Sequence, residues 1–184
     1  MDIPKVIYMT YKKIPQIKVF ERWRRLNPTY KIDFSLDKHC ILFIKDNFSV
    51  ELAKLFIDIP IGMYKADLWR LCKLYIHGGV YADIDLVPYV SIDSLLNGNS
   101  FYSCIGIDNK SIFQALIITT PKNPLILCML MSLIQNRPFY KDGPTTDMYN
   151  CLKFNINKKS LNNLLILIRG ITILLNISID ELFR

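Results

Sequence analysis

The stretch YIHGGVYADIDLVPY, residues 75–89, sets two carboxylates, Asp83 and Asp85, among aliphatic and aromatic side chains. Carboxylates almost never enter such surroundings unpaired. Read as an extended strand, the segment turns alternate side chains to one face, which puts the two aspartates together with Cα atoms roughly 6.5–7 Å apart. Tyr81 shares their face, and Ala82, Ile84 and Leu86 take the other. Two like charges so placed raise one pKa or call in a cation. Mg2+ or Mn2+ suits oxygen ligands and shares its coordination with substrate phosphates, where it stabilises a departing diphosphate as a Lewis acid. The plainer alternative has one aspartate capping the next helix and the other solvated at the strand end. Upstream, Asp67 and Arg70 are three apart, hence on one face of a helix. If a glycine turn folds that helix back beside the strand, an acid and a guanidinium reach the aspartate pair. Taken alone they are equally a helical ion pair, worth roughly a few tenths of a kcal/mol.

The elements that must position these residues alternate along the chain. Residues 4–10 read as a short buried strand, and 15–26 as a helix opened by Pro15 with Ile17, Phe20 and Trp23 at helical spacing. Residues 31–36 alternate like a strand, Asp37 stands as an N-cap, and helix is expected over 38–47 and 49–57. The strongest helical pattern runs from Gly62 to His77, with Gly78 as its terminating glycine. Strand follows over 80–87 until Pro88, then a capped helical turn at 91–97. Residues 100–107 and 113–120 are further strands, 123–136 a helix, and 142–146 a Gly-Pro loop. Such alternation implies an α/β protein: one mixed, mostly parallel sheet flanked by helices, with its site in the loops at the strand ends.

Composition narrows the class. A chain of 184 residues, 51% hydrophobic and 21% charged, folds instead of remaining disordered, and its length suits a single domain over 1–184. A net charge of +7 points to an anionic partner, either nucleic acid, a membrane surface or a phosphorylated substrate, or to no more than a soluble basic surface. Five scattered cysteines without CxxC spacing argue against a disulfide framework and a structural zinc site, and two histidines are too few for a histidine-rich metal centre. The N-terminus lacks the pattern of a signal peptide, and the apolar tract at 164–179 is interrupted by Arg169 and Gly170. The expectation is a soluble protein of the cytoplasm or another reducing compartment, with no transmembrane segment.

Residues 64–88, YKADLWRLCKLYIHGGVYADIDLVP, resemble the DxD sugar-binding region of glycosyltransferase family 32 and the catalytic core of large glucosylating toxins. The shared pattern is an Asp-x-x-Arg helix, a Gly-Gly turn and a Tyr-x-Asp-x-Asp strand. IPKVIYMTY, WRRLNPTYKIDFSLD and KDGPTT are similar to the family's opening strand, second block and late Gly-Pro loop. The resemblance implies a GT-A fold, a UDP- or GDP-sugar donor and metal-dependent hexosyl transfer with retention. It gives Asp83 and Asp85 the metal and diphosphate-ribose roles, with Mn2+ or Mg2+ as cofactor, and makes Asp67 and Arg70 donor-sugar contacts within the catalytic set. Tyr81, Thr10, Tyr11, Gly78, Gly79, Gly143 and Pro144 join them as substrate-binding positions by the same resemblance. The acceptor is a glycan, protein or small molecule.

Three departures accompany the likeness. Tyr8 and Met9 stand where the family usually has His-Gln, and Gln114-Ala115 where Asn-Ala is usual. After the Gly-Pro loop there is neither the His nor the Trp from which many relatives make a further metal or diphosphate contact. Two other readings therefore stay open: a degenerate module that binds a nucleotide sugar without turnover, and a metal-dependent nucleic-acid protein. The second lacks a third acidic cluster and a basic-aromatic stripe, so no nucleic-acid partner is expected.

Overall fold

The structure is a computed structural model that describes residues 2–105, 112–135, 151 and 166–168. Six strands form one sheet: β1 (Val6–Thr10), β2 (Lys31–Ser35), β3 (Gly79–Ala82), β4 (Phe101–Ile105), β5 (Ile112–Thr119) and β6 (Ile166–Ile168), in the order β2-β1-β3-β5-β4-β6. β1 runs parallel to β2 and β3, and β6 parallel to β4, while β5 is antiparallel to both β3 and β4. The expected mixed sheet with mainly parallel pairing is thus present among the described residues. The helices among the described residues include α1 (Lys18–Leu26), α2 (Asp37–Asn47), α3 (Val50–Asp58), α4 (Gly62–His77) and α5 (Pro124–Gln135).

Strand alternation explains how the helices divide between the two faces. Ile7, Met9, Val80, Ala82, Tyr102 and Ile118 meet Phe20 and Trp23 of α1 on one side. Tyr8, Tyr81, Phe101 and Ile117 point the other way, into a core built from α2, α3, α4 and α5. Helix α4 is buried along its middle, where Leu68, Trp69, Leu71, Cys72 and Leu74 are fully enclosed. Asp67 and Arg70 are enclosed with them. The helix stops at Gly78 (φ +60°), and Gly79 (φ +96°) starts β3, conformations that side-chain-bearing residues adopt only with strain.

Two local expectations are corrected. Asp37 is the first residue of α2, not its cap; the cap position is Leu36, whose N–H donates to His39 Nδ1 at 3.3 Å. The strand expected over 80–87 ends at Ala82. Asp83 N–H still donates to Ala115 O at 2.8 Å, but Leu86 N–H then donates back to Asp83 O at 3.1 Å and closes a turn over Ile84 and Asp85. Asp83 and Asp85 therefore sit on a turn at the end of the sheet, not side by side on a strand face. Aspartate disfavours strand interiors, and at this end the chain has a cleft to turn into.

Candidate active site

The path of the chain around Gly78 and Gly79 explains how α4 meets the aspartates. Arg70 lies eight residues before Gly78, about 12 Å along a helix, and Asp83 lies four after Gly79, about 13 Å along a strand. Because helix and strand double back on each other, the two side chains arrive at the same height. Arg70 Nη2 is 2.9 Å from Asp67 Oδ1 and 3.5 Å from Asp83 Oδ1. Its Nη1 donates to Gln114 O at 2.5 Å, its Nε to Ala66 O at 3.2 Å, and its guanidinium lies 4.3 Å from the centre of the Tyr81 ring. The Tyr81 hydroxyl donates to Asp83 Oδ1 at 2.5 Å. Trp69 packs edge-on against Tyr81, 6.3 Å between ring centres, and fixes the ring.

Burial sets the electrostatics. Only 5% of Asp67 is exposed, and loss of water pushes its carboxyl up to about 6 against the opposing pull of Arg70. Burial likewise raises Tyr81 well above its ordinary value, so its hydroxyl remains a proton donor to Asp83. Arg70 stays charged: although it is buried, Tyr81, Asp83 and Asp67 favour the cation. Asp85 is pushed upward by partial burial and by the neighbouring charge of Asp83.

Arg70, Tyr81 and the two aspartates after β3 border a cleft of about 500 Å3 at the end of β1 and β3. Thr10 and Tyr11 line it, as do Arg70, Tyr81, Asp83 and Asp85, so six of the residues singled out by sequence converge there. Thr10 is held by a 2.8 Å hydrogen bond from its hydroxyl to Ser35 O. Asp67 is not among the lining residues and reaches the cleft through Arg70. Gly78 and Gly79 are not among the residues that line the cleft. They stand at the opposite end of β3, where a Cβ on Gly78 would lie 2.4 Å from Pro121 N and one on Gly79 2.9 Å from Val6 O. Their role is to let α4 close onto the sheet. Gly143 and Pro144 lie outside the described residues.

The cleft also contains residues that no motif singles out. Lys12 and Lys65 add positive charge, with Lys65 Nζ 3.7 Å from Asp37 Oδ2, and Phe56, Pro60 and Met63 form an apolar wall. The interruption DIPIG between α3 and α4 is the one sequence signal for that wall, because Pro60 and Gly62 break the helical run there. A divalent cation fits the aspartate pair. Both carboxylates line the cleft, and Asp85 is pushed upward first by burial and then by the charge of Asp83, a cost that a bound cation would offset. Among the described residues no cluster of three His, Cys, Asp or Glu could hold a metal. The donor set therefore suits an ion that takes its remaining ligands from phosphates and water.

Residues 15–102 match the family model of the glycosyltransferase sugar-binding region containing a DXD motif. The chain is 33% identical over 106 residues to the initiation-specific α-1,6-mannosyltransferase of Candida albicans, a match covering 52% of this chain and 28% of that protein. It is 28% identical over 131 residues to an uncharacterized glycosyltransferase of Acanthamoeba polyphaga mimivirus, covering 67% of this chain and 52% of that one. The chain thus spans between about a quarter and about half the length of the curated relatives it matches. The solved PaToxG glycosyltransferase superposes with a TM-score of 0.61 at 18% identity, over 84% of this chain and 70% of its own, which supports the GT-A type of fold. Among the described residues no helix is long and apolar enough to cross a membrane.

Proposed function

We propose that this chain transfers a hexose from a nucleotide-sugar donor, a UDP- or GDP-sugar, to an acceptor hydroxyl with retention of configuration. The observation that carries the reading is the convergence of Arg70, Tyr81, Asp83 and Asp85 on one cleft within a DXD sugar-binding region. In this reading Asp83 and Asp85 have different tasks. Asp83 is already engaged by Tyr81 and Arg70, which suits a carboxylate held in place to accept hydrogen bonds from the donor's ribose. Asp85, whose charge is the less compensated, is the principal ligand for a divalent cation, with Mn2+ favoured. Bound there, such an ion supplies Lewis-acid stabilisation of the departing diphosphate.

The chain's own residues do the rest. Arg70 presents a planar fork whose charge is kept by its surroundings and braces the donor's sugar and phosphate. Asp67, paired with Arg70 from behind, fixes the fork's orientation toward the donor sugar. Lys12 and Lys65 add positive charge for the diphosphate, and the wall of Phe56, Pro60 and Met63 takes apolar surface and excludes water. The reaction breaks the bond between the anomeric carbon and the diphosphate oxygen and forms one from that carbon to the acceptor oxygen on the same face. The acceptor's proton goes to the departing diphosphate. The acceptor is a glycan, a protein or a small molecule. A panel of UDP- and GDP-sugars with Mn2+, read by thermal stabilisation and by release of nucleoside diphosphate, tests the reading. Stabilisation by one donor together with acceptor-dependent release supports it, and binding without release across acceptors would make the chain a binding module.

A further inference from the structure

The cleft and its catalytic groups leave unexplained the surface beside them, formed by the connection from β1 into α1. Residues 12–25 hold six cations, Lys12, Lys13, Lys18, Arg22, Arg24 and Arg25, against the single acid Glu21, and so contain most of the chain's net charge of +7. Set among these charges are two aliphatic side chains in open solvent, Ile14 at 73% exposure and Ile17 at 69%. The segment after the DXD turn extends the same surface. Leu86 O accepts from Trp23 Nε1 at 3.1 Å, which holds that segment against α1. Three residues further on, the Tyr89 ring lies 4.2 Å from the Arg22 guanidinium, with Tyr89 43% and Val90 38% exposed. Lys18 is one helical turn from Arg22, on the same side of α1.

We infer that this surface docks the chain on an anionic lipid bilayer, with Ile14 and Ile17 entering the headgroup region while the surrounding Lys and Arg side chains meet lipid phosphates. The two kinds of residue together choose the partner. A nucleic-acid backbone would reward the cations but offers nothing to two β-branched aliphatic side chains. A bilayer interface takes both, since apolar side chains insert and basic ones are drawn to its negative surface. Each basic residue held there strengthens binding roughly fivefold. Thr10, Tyr11 and Lys12, just before the isoleucines, line the cleft, so docking sets the cleft's mouth beside the membrane.

The probe is phosphatidylcholine vesicles with or without phosphatidylserine at about one-third of the lipid. The full chain should sediment with the anionic vesicles and not with the neutral ones, and added salt should weaken binding. Ile14→Ser with Ile17→Ser should lower partitioning about tenfold. Lys13→Glu with Lys18→Glu should lower it about tenfold or more. Both double variants should keep the wild-type melting temperature, because the altered side chains are exposed. If the isoleucine pair melts low, Ile14→Ser alone replaces it and should still lose roughly threefold. Failure to bind anionic vesicles overturns the inference, as does binding indifferent to the isoleucines. Tighter binding to a single-stranded oligonucleotide than to the vesicles would reassign the surface to nucleic acid.

Discussion

Asp67→Asn separates stability from function in a way the structure makes quantitative. The carboxyl of Asp67 is raised from 3.8 to about 6, with burial as the largest cause. The raised value means that the folded state resists ionising this group. Below about pH 4 the acid is neutral in both folded and unfolded chains, and the relative stability it contributes is fully present. That stability is lost as pH climbs from about 4 to about 6, reaching about 3 kcal/mol by neutral pH, which is an upper bound for so buried a group. Asparagine has nearly the shape of the neutral acid and does not titrate. Its cost is the loss of Arg70's nearest carboxylate, yet Arg70 keeps Asp83 at 3.5 Å, the carbonyls of Gln114 and Ala66, and the Tyr81 ring. The cation is not orphaned, so the usual penalty for breaking a buried pair is largely avoided. Measured against wild type, the Asn variant should gain melting temperature as pH rises from about 4.5 to about 8, by at most roughly 6–12 °C. Sugar transfer should fall severely in the same variant, while nucleoside diphosphate affinity changes less than about threefold. An Asn variant that melts lower relative to wild type at pH 8 than at pH 4.5 refutes the reasoning, because the ion pair would then outweigh the desolvation of Asp67.

Other perturbations have equally definite outcomes. Asp85→Asn should abolish the extra thermal stabilisation that Mn2+ gives in the presence of a nucleoside diphosphate, while the metal-free protein melts at or slightly above wild type as a partly buried charge and its repulsion from Asp83 disappear. Tyr81→Phe keeps the ring beneath Arg70 but removes the hydroxyl that donates to Asp83, so titration calorimetry should find nucleoside diphosphate affinity about tenfold weaker. Gly79→Ala should lower the melting temperature sharply, because its Cβ would meet Val6 O at 2.9 Å at a φ of +96°; any surviving folded protein should bind donor normally, as Gly79 does not border the cleft. Arg70→Lys should lose transfer as well, since an ammonium cannot reach Asp67, Asp83 and Gln114 O at once.

The sequence was most readable where local rules and burial agree. The helix expected over Gly62–His77 has those bounds in the structure, because its apolar spacing, its length and a terminating glycine all point one way. The neighbouring strand was overextended to residue 87, since Val80, Ala82, Ile84 and Leu86 keep an alternating pattern after the chain has left the sheet. Pattern records which side chains are buried, not whether the backbone is still paired. For the site, Asp67, Arg70, Tyr81, Asp83 and Asp85 were legible through type and spacing, but Asp67's place behind Arg70 was not. That depends on how α4 leans on β3 and β5, a tertiary fact. Gly78 and Gly79 show the converse: glycines near a motif look like room for a ligand, whereas here the close neighbours are Pro121 and β1. Lys12 follows β1, Phe56 is on α3, and Lys65 and Met63 are on α4, separate stretches that only the fold brings together.

The most direct test of the central claim is nucleoside diphosphate release from a panel of UDP- and GDP-sugars with Mn2+, measured for wild type and Asp85→Asn with and without acceptor glycans. The account predicts release with at least one donor, accelerated by acceptor, abolished by chelation of the metal and reduced by about a hundredfold or more in Asp85→Asn. Wild-type release rates in Asp85→Asn, or release that survives chelation unchanged, would contradict it.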